Sequence, residues 1–136
     1  MAMSLVAASA VIVFILCLLH VVYTFHGPQL LPRDRDLRAR MERSALVLSR
    51  ETTVWRAWVG FNASHGLGGM VFGAVYGYLA LAQPALLSGS AFLLAVGAAT
   101  LVAYAWLGRR YWFSVPFRGL VLALLLYAAG VIAALA

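Results

Sequence analysis

The chain has little charge, and the composition excludes a soluble protein. Of its 136 residues, 10% are charged and 65% are hydrophobic, whereas a soluble domain is about 25% charged and about 45–50% apolar. A soluble fold of this length buries only about two-thirds of its unfolded surface, so much of the apolar excess would face water. The same excess excludes disorder. The composition therefore predicts an integral membrane protein.

Several residue types are absent or scarce, and each absence excludes a class of chemistry. Lysine is missing, and all ten basic residues are arginine. The single cysteine, Cys17, excludes an intramolecular disulfide and a cysteine-based metal cluster. The four acids lie within residues 34–51, so the apolar runs hold no carboxylate, which argues against proton-coupled transport and most metal-hydrolase chemistry. We assign the net charge of +6 to membrane orientation and anionic headgroups rather than to nucleic acid.

Four apolar runs are present, and each is near the roughly 20 residues that a transmembrane helix needs. They cover about residues 5–25, 55–81, 87–107 and 120–136. Gln83-Pro84 separates the second run from the third, because proline breaks a helix interior. The first run has no positively charged start and no small-residue cleavage site, so we expect a retained span rather than a signal peptide. The predicted fold is all-α: a single membrane domain over 1–136, built as a four-helix bundle.

The arginines indicate the orientation. Seven lie in or beside the first connection and three lie in the third, while the second connection and both ends of the chain have none. Cytoplasmic connections are enriched in arginine. We therefore expect the first and third connections in the cytoplasm and both termini on the periplasmic or extracellular side. The bias of the composition toward alanine, leucine, valine, glycine and arginine is typical of GC-rich bacterial genomes, so the expected location is a bacterial inner membrane.

The first connection, at about 33–52, is predicted to be an amphipathic cytoplasmic helix. Leu37, Met41, Ala45 and Leu48 recur at helical spacing, with charges on the other faces. Such a helix is either a solvated connector or a docking surface for a partner or an anionic lipid. Thr52 or Thr53 would cap the next helix.

The second run contains polar residues deep in an apolar segment, namely Asn62, Ser64 and His65. A polar group at that depth is costly and normally has a partner. His20 of the first run lies at a comparable depth, so the two imidazoles can approach each other. Ser64 and His65 are not a nucleophile–base pair, since adjacent helical positions point about 100° apart and no orienting acid is present.

Three ligands suit such a polar group, and a structural role competes with all of them. The two histidines could ligate a haem iron, or hold a metal that Asn62 or water completes. They could also hydrogen-bond a quinone, a lipid carbonyl or another lipophile. In the structural role, His65 donates to a carbonyl on a neighbouring helix. The sequence requires no cofactor and shows no catalytic residue set.

The second run also carries a stripe of small residues and aromatic anchors. The stripe allows close approach of a helix from the same chain or from a second copy, and it comprises Gly66, Gly69, Gly73 and Gly77. Interfacial residues are predicted at the cytoplasmic ends of the spans, namely Trp55, Arg56, Trp58, Arg109, Arg110 and Trp112. Tyr76 and Tyr78 are predicted to be anchors at the opposite interface.

The motif Gly60-Phe61-Asn62-Ala63-Ser64-His65-Gly66-Leu67-Gly68, with Tyr111-Trp112-Phe113-Ser114-Val115-Pro116 before the last run, resembles the signature of a family. That family comprises small bacterial four-span membrane proteins to which no activity has been assigned. The resemblance covers spans two to four, implies the same topology, and directs attention to Asn62, Ser64 and His65.

Two functions follow as expectations. The first is a non-catalytic accessory or scaffold subunit, or a small oligomer assembled through the glycine stripe. The second is a protein that binds a lipophile, or carries out redox chemistry on one, through Asn62, His65 and His20. The lipid bilayer is the expected surrounding, with a second copy or another membrane protein as partner.

Overall fold

A computed structural model describes residues 2–136, and Met1 lies outside the described residues. Six helices make up most of this part of the chain: α1 Ala2–Phe25, α2 Arg35–Arg43, α3 Val54–Ala82, α4 Pro84–Gly89, α5 Ala91–Tyr111 and α6 Ser114–Leu135. Within residues 2–136 the only β-type pairing is a single antiparallel bridge between Ala45 and Thr53. The all-α prediction is confirmed.

Four of the helices are long and apolar enough to cross a membrane, by length and composition. At 1.5 Å per residue, the 24 residues of α1 span about 36 Å and the 21 residues of α5 about 31 Å. Both lengths exceed the roughly 30 Å hydrocarbon core of a bilayer. The number of candidate spans therefore matches the prediction.

Two helix starts differ from the predicted ones. Helix α5 begins at Ala91 rather than near residue 87, because Pro84–Gly89 form the separate short helix α4. Helix α6 begins at Ser114 rather than near residue 120. Pro116 therefore lies in the first turn of α6, where backbone N–H groups have no partner within the helix, so the missing N–H of proline costs no hydrogen bond.

The prediction of one helix over 33–52 is wrong in length. Helix α2 ends at Arg43, and the backbone of Ser44 is extended. The carbonyl of Ser44 accepts a 2.9 Å hydrogen bond from the N–H of Val54, beside the Ala45–Thr53 bridge. Residues 44–53 thus form a loop whose ends pair with each other, and Leu48 is 92% exposed. The predicted apolar stripe does not extend beyond α2.

Side-chain caps fix where several helices begin. Asp34 accepts hydrogen bonds from the N–H groups of Asp36 and Leu37, at 2.8 Å and 3.3 Å, and so starts α2. Thr53 Oγ1 accepts from the N–H of Arg56 at 3.3 Å, and this confirms Thr53 as the cap of α3. Ser90 caps α5 in the same way. Such caps satisfy N–H groups that have no partner within the helix.

The described chain divides into two compact units. One comprises α1 as far as Leu16 together with Gly69–Ala136, and the other comprises Cys17–Gly68. In the first unit, glycines on α3 and α6 lie against the backbone of α1. A Cβ added to Gly73 would lie 2.7 Å from the carbonyl oxygen of Ala10, and one added to Gly130 would lie 2.8 Å from that of Ala2.

Two buried tyrosines connect helices of the first unit. Tyr76 on α3 donates a 2.7 Å hydrogen bond to the carbonyl of Leu93, and Tyr127 on α6 donates a 3.0 Å bond to the carbonyl of Leu94. Tyr76 is 5% exposed, so the prediction that it is an interfacial anchor is wrong. A buried tyrosine hydroxyl needs a partner, and both hydroxyls find one on α5.

Candidate functional site: a polar cluster on α1 and α3

The second unit brings together the polar residues that the sequence places in α1 and α3. His20 Nε2 lies 3.0 Å from Asn62 Oδ1, and Asn62 Nδ2 donates a 2.8 Å hydrogen bond to the carbonyl of Trp58. Because the amide nitrogen donates to Trp58, the amide oxygen faces His20 and accepts a hydrogen bond from Nε2–H. The result is a directed chain of hydrogen bonds from His20 through Asn62 to the backbone of α3.

His65 completes the cluster from the next turn of α3. Its ring contacts that of His20 edge to face, with centroids 5.2 Å apart and planes at 83°. His20, Asn62 and His65 are each half-buried. The two histidine rings are in contact, as predicted. The residue that hydrogen-bonds to His20 is Asn62.

Ser64 does not belong to this cluster. It is exposed, and its hydroxyl donates a 3.1 Å hydrogen bond to the carbonyl of Phe61, on its own helix. Thr24 likewise donates to the carbonyl of His20 at 2.7 Å. Both hydroxyls are therefore satisfied locally, a common arrangement for serine and threonine inside helices.

The arrangement of the cluster does not favour a metal or haem ligand set. Among residues 2–136, no three histidine, cysteine, aspartate or glutamate side chains are grouped so as to hold a metal ion. When His20 Nε2 donates to Asn62, Nδ1 is the one ring nitrogen of His20 that keeps a lone pair. Two axial haem ligands lie on opposite faces of a porphyrin, whereas these two rings touch edge to face.

The glycine stripe packs within the chain. A Cβ on Gly66 would lie 3.2 Å from the carbonyl oxygen of Cys17, and Gly73 meets α1 in the first unit as described above. Gly69 is buried, while Gly77 is only half-buried, and a Cβ there would be 3.8 Å from Ala10. The helix that approaches Gly66, Gly73 and Gly77 is thus α1 of the same chain.

The predicted interfacial residues lie at helix ends, and several have specific contacts. The guanidinium carbon of Arg38 lies over the ring of Trp55, 4.8 Å from its centroid. The indole N–H of Trp58 donates to the carbonyl of Leu30 at 3.4 Å. Arg56 follows the Thr53 cap as an exposed residue. In the first unit, Arg109 lies 5.8 Å from the ring of Phe117. Arg110 is exposed, and Trp112 packs edge to face with Tyr104.

Two contacts of functional interest were not predicted from the sequence. The bond from Tyr127 to α5 could have been predicted in kind, because a tyrosine in the middle of an apolar run needs a hydrogen-bond partner for its hydroxyl. The contact of Arg38 with Trp55 joins residues of α2 and α3, and helical periodicity within one element does not reveal such a pair.

No protein-family model, curated protein sequence or solved structure matches this chain.

Proposed function

We propose that this chain is a small multi-pass protein of the bacterial inner membrane and acts as a non-catalytic accessory or scaffold subunit. The observation that carries the proposal is the pairing of the polar groups in the candidate spans. His20 bonds to Asn62, Asn62 bonds to Trp58, and the two buried tyrosines bond to α5. The His20–Asn62 bond and the two tyrosine bonds join different helices, the Asn62–Trp58 bond orients the amide within α3, and none of them requires a substrate.

Exposed apolar side chains support placement in a membrane. Phe61 is 73% exposed, Phe92 75% and Leu125 62%, all on helices that are candidate spans. A soluble monomer rarely leaves large contiguous apolar surface in water. Lipid tails and a partner helix are the surroundings that suit such residues.

The arginines support the proposed orientation. All ten lie in the first and third connections or within a few residues of them, and α5 ends with Arg109 and Arg110 in its last turn. Under the positive-inside bias, both connections are cytoplasmic and both termini are periplasmic or extracellular. The resemblance of the Asn62–His65 region to small bacterial four-span proteins agrees with this placement.

A second candidate function is favoured by one specific observation. His20, Asn62 and His65 are only half-buried, although a polar group within a bilayer normally faces a protein interior or a wet cavity. A quinone or lipid carbonyl that reaches the exposed side of this cluster would accept a hydrogen bond from the second N–H of the Asn62 amide, since the first bonds to Trp58. The alternative is therefore a lipophile-binding protein with its site at this cluster.

Mass spectrometry of the chain, purified from its own membranes in mild detergent, separates the two functions. The variants to compare are Asn62→Leu and, as a matched control in the same helix, Ser64→Ala. The accessory role predicts a protein partner in fixed ratio and no small molecule whose retention depends on Asn62. A lipophile retained by the native chain and the control, but lost from Asn62→Leu, would establish the alternative. Neither partner nor lipophile would contradict both.

A further inference from the structure

A cavity lined by arginines lies in the segment that follows α1, within the second unit. It has a volume of about 460 Å³ and is lined by Pro28, Leu31, Pro32, Arg33, Arg35 and Arg38. Three of these six residues carry a fixed positive charge, and none of the described residues that line it is acidic. The other three supply an apolar wall.

Two of the three guanidinium groups are uncompensated. Neither Arg33 nor Arg35 forms an ion pair with any residue between 2 and 136. Arg38 uses its Nε to bond Glu42 at 3.0 Å, which leaves the terminal Nη groups of its five-donor fork for another acceptor. The neighbouring Asp34 is occupied by capping α2 and by Arg40, at 3.9 Å.

Arg38 is held in place on both sides of its side chain. Its guanidinium lies over the ring of Trp55 at 4.8 Å, while Glu42 bonds its Nε. Trp55 itself lines a second hollow of about 360 Å³, together with apolar residues that include Phe25 and Val59. A basic cavity whose pre-oriented arginine stacks on the wall of an apolar hollow suits a ligand that has an anionic head and an apolar body.

The position of the cavity along the chain identifies which anion it meets. If α1 spans the membrane, its length of about 36 Å places the Phe25 end beyond the hydrocarbon core. Pro28 follows three residues later, which is at most about 11 Å of chain. The headgroup layer on each side of the core is about 5–8 Å thick, so the segment that begins at Pro28 lies within reach of the lipid phosphates.

We propose that this cavity binds the phosphate of an anionic phospholipid headgroup, through Arg33, Arg35 and Arg38. The planar guanidinium fork matches phosphate oxygens with paired hydrogen bonds. Pro28, Leu31 and Pro32 contact the glycerol backbone. The inference rests on the membrane placement under Proposed function, and it adds a binding site for an anionic headgroup that is separate from the His20, Asn62 and His65 cluster.

The test uses the full-length chain in dodecyl maltoside, which contains no phosphate. Its thermal midpoint is titrated with phosphatidylglycerol, phosphatidylcholine, diacylglycerol and inorganic phosphate. We expect phosphatidylglycerol to raise the midpoint of the native chain, with weaker effects from phosphatidylcholine and none from diacylglycerol. Inorganic phosphate at equal concentration should bind at least tenfold more weakly. If phosphatidylglycerol has no effect, or if inorganic phosphate binds as tightly, the assignment to a lipid is wrong.

Matched variants distinguish the cavity from general charge attraction. Arg33→Gln/Arg35→Gln should raise the apparent dissociation constant for phosphatidylglycerol at least about tenfold, since charge-assisted bonds are lost. Arg43→Gln/Arg50→Gln removes the same charge from the same connection but outside the cavity, and it should bind within about twofold of the native chain. Equal losses in both pairs would refute the cavity.

Two further measurements keep the result interpretable. Arg33→Lys/Arg35→Lys retains the charge but loses the fork, so its affinity should lie between the native and glutamine values. Circular dichroism verifies that each variant is folded. Carbonate extraction of membranes tests the placement separately: a chain that is washed out contradicts the proposed function, whereas a retained chain that does not bind phosphatidylglycerol contradicts only the cavity.

Discussion

Replacing Gly73 with alanine should destabilise the protein, although alanine is the better helix former. The added Cβ would lie 2.7 Å from the carbonyl oxygen of Ala10, 2.8 Å from the Cβ of Phe14 and 3.0 Å from the nitrogen of Phe14. Two of these three atoms belong to the backbone of α1, which cannot turn away as a side chain can. Relief requires that α1 and α3 separate by several tenths of an ångström or more.

The magnitude follows from two opposing contributions. Overpacking costs about 1–3 kcal/mol, and the exchange of glycine for alanine in a helix returns about 1 kcal/mol. Gly60 is the matched control because it lies on the same helix and has no atom within 4 Å of an added Cβ. Gly60→Ala therefore gains the helix preference without the clash. The difference in unfolding free energy between the two variants should be about 1–3 kcal/mol, with Gly73→Ala the less stable.

The assay is reversible unfolding in mixed micelles by a denaturing detergent, followed by far-ultraviolet circular dichroism. Gly73→Ile should widen the gap, because a larger side chain meets the same backbone. Equal stabilities of Gly73→Ala and Gly60→Ala would refute the packing of α1 on α3 at Gly73.

Three other stability predictions use the same assay. Tyr127→Phe should cost about 1 kcal/mol, because it removes a buried hydrogen bond to α5. Ser9→Ala should be neutral or stabilising, since Ser9 Oγ is buried and has no hydrogen-bond partner among residues 2–136; a loss above about 1 kcal/mol would show that the hydroxyl has a partner. Asn62→Leu and His20→Phe should show a coupling energy of about 0.5–1.5 kcal/mol in a double-mutant cycle, and a coupling of zero would contradict the His20–Asn62 bond.

The number of long helices could be predicted from the sequence, because each candidate span is a long run of apolar residues. The predicted helix boundaries were less accurate, because local hydrogen bonds can end a helix where the apolar pattern continues. Ala45 and Leu48 continue the apolar pattern of α2, yet residues 44–53 form a loop whose two ends are joined by backbone hydrogen bonds. Pro116 was placed before a helix although it lies in its first turn.

For the candidate site, the positions of His20 and His65 along their spans predicted that both lie at a similar depth in the membrane. Depth could not reveal that Asn62 is the partner of His20, because that depends on how α1 and α3 are rotated about their own axes. Tyr76 was assigned to an interface from its place near a helix end, whereas its hydroxyl bonds to α5. Contacts between helices decide such cases, and a single periodic pattern does not contain them.

The central claim is that the chain is a multi-pass membrane protein whose arginine-rich connections lie on one side of the membrane. Cysteine accessibility in intact cells tests it most directly. With Cys17 replaced by alanine, Ser49→Cys and Ser88→Cys each provide one reporter, in the first connection and in α4. A membrane-impermeant maleimide should label Ser88→Cys in intact cells, and should label Ser49→Cys only after permeabilisation. Equal labelling of both reporters in intact cells would contradict the account.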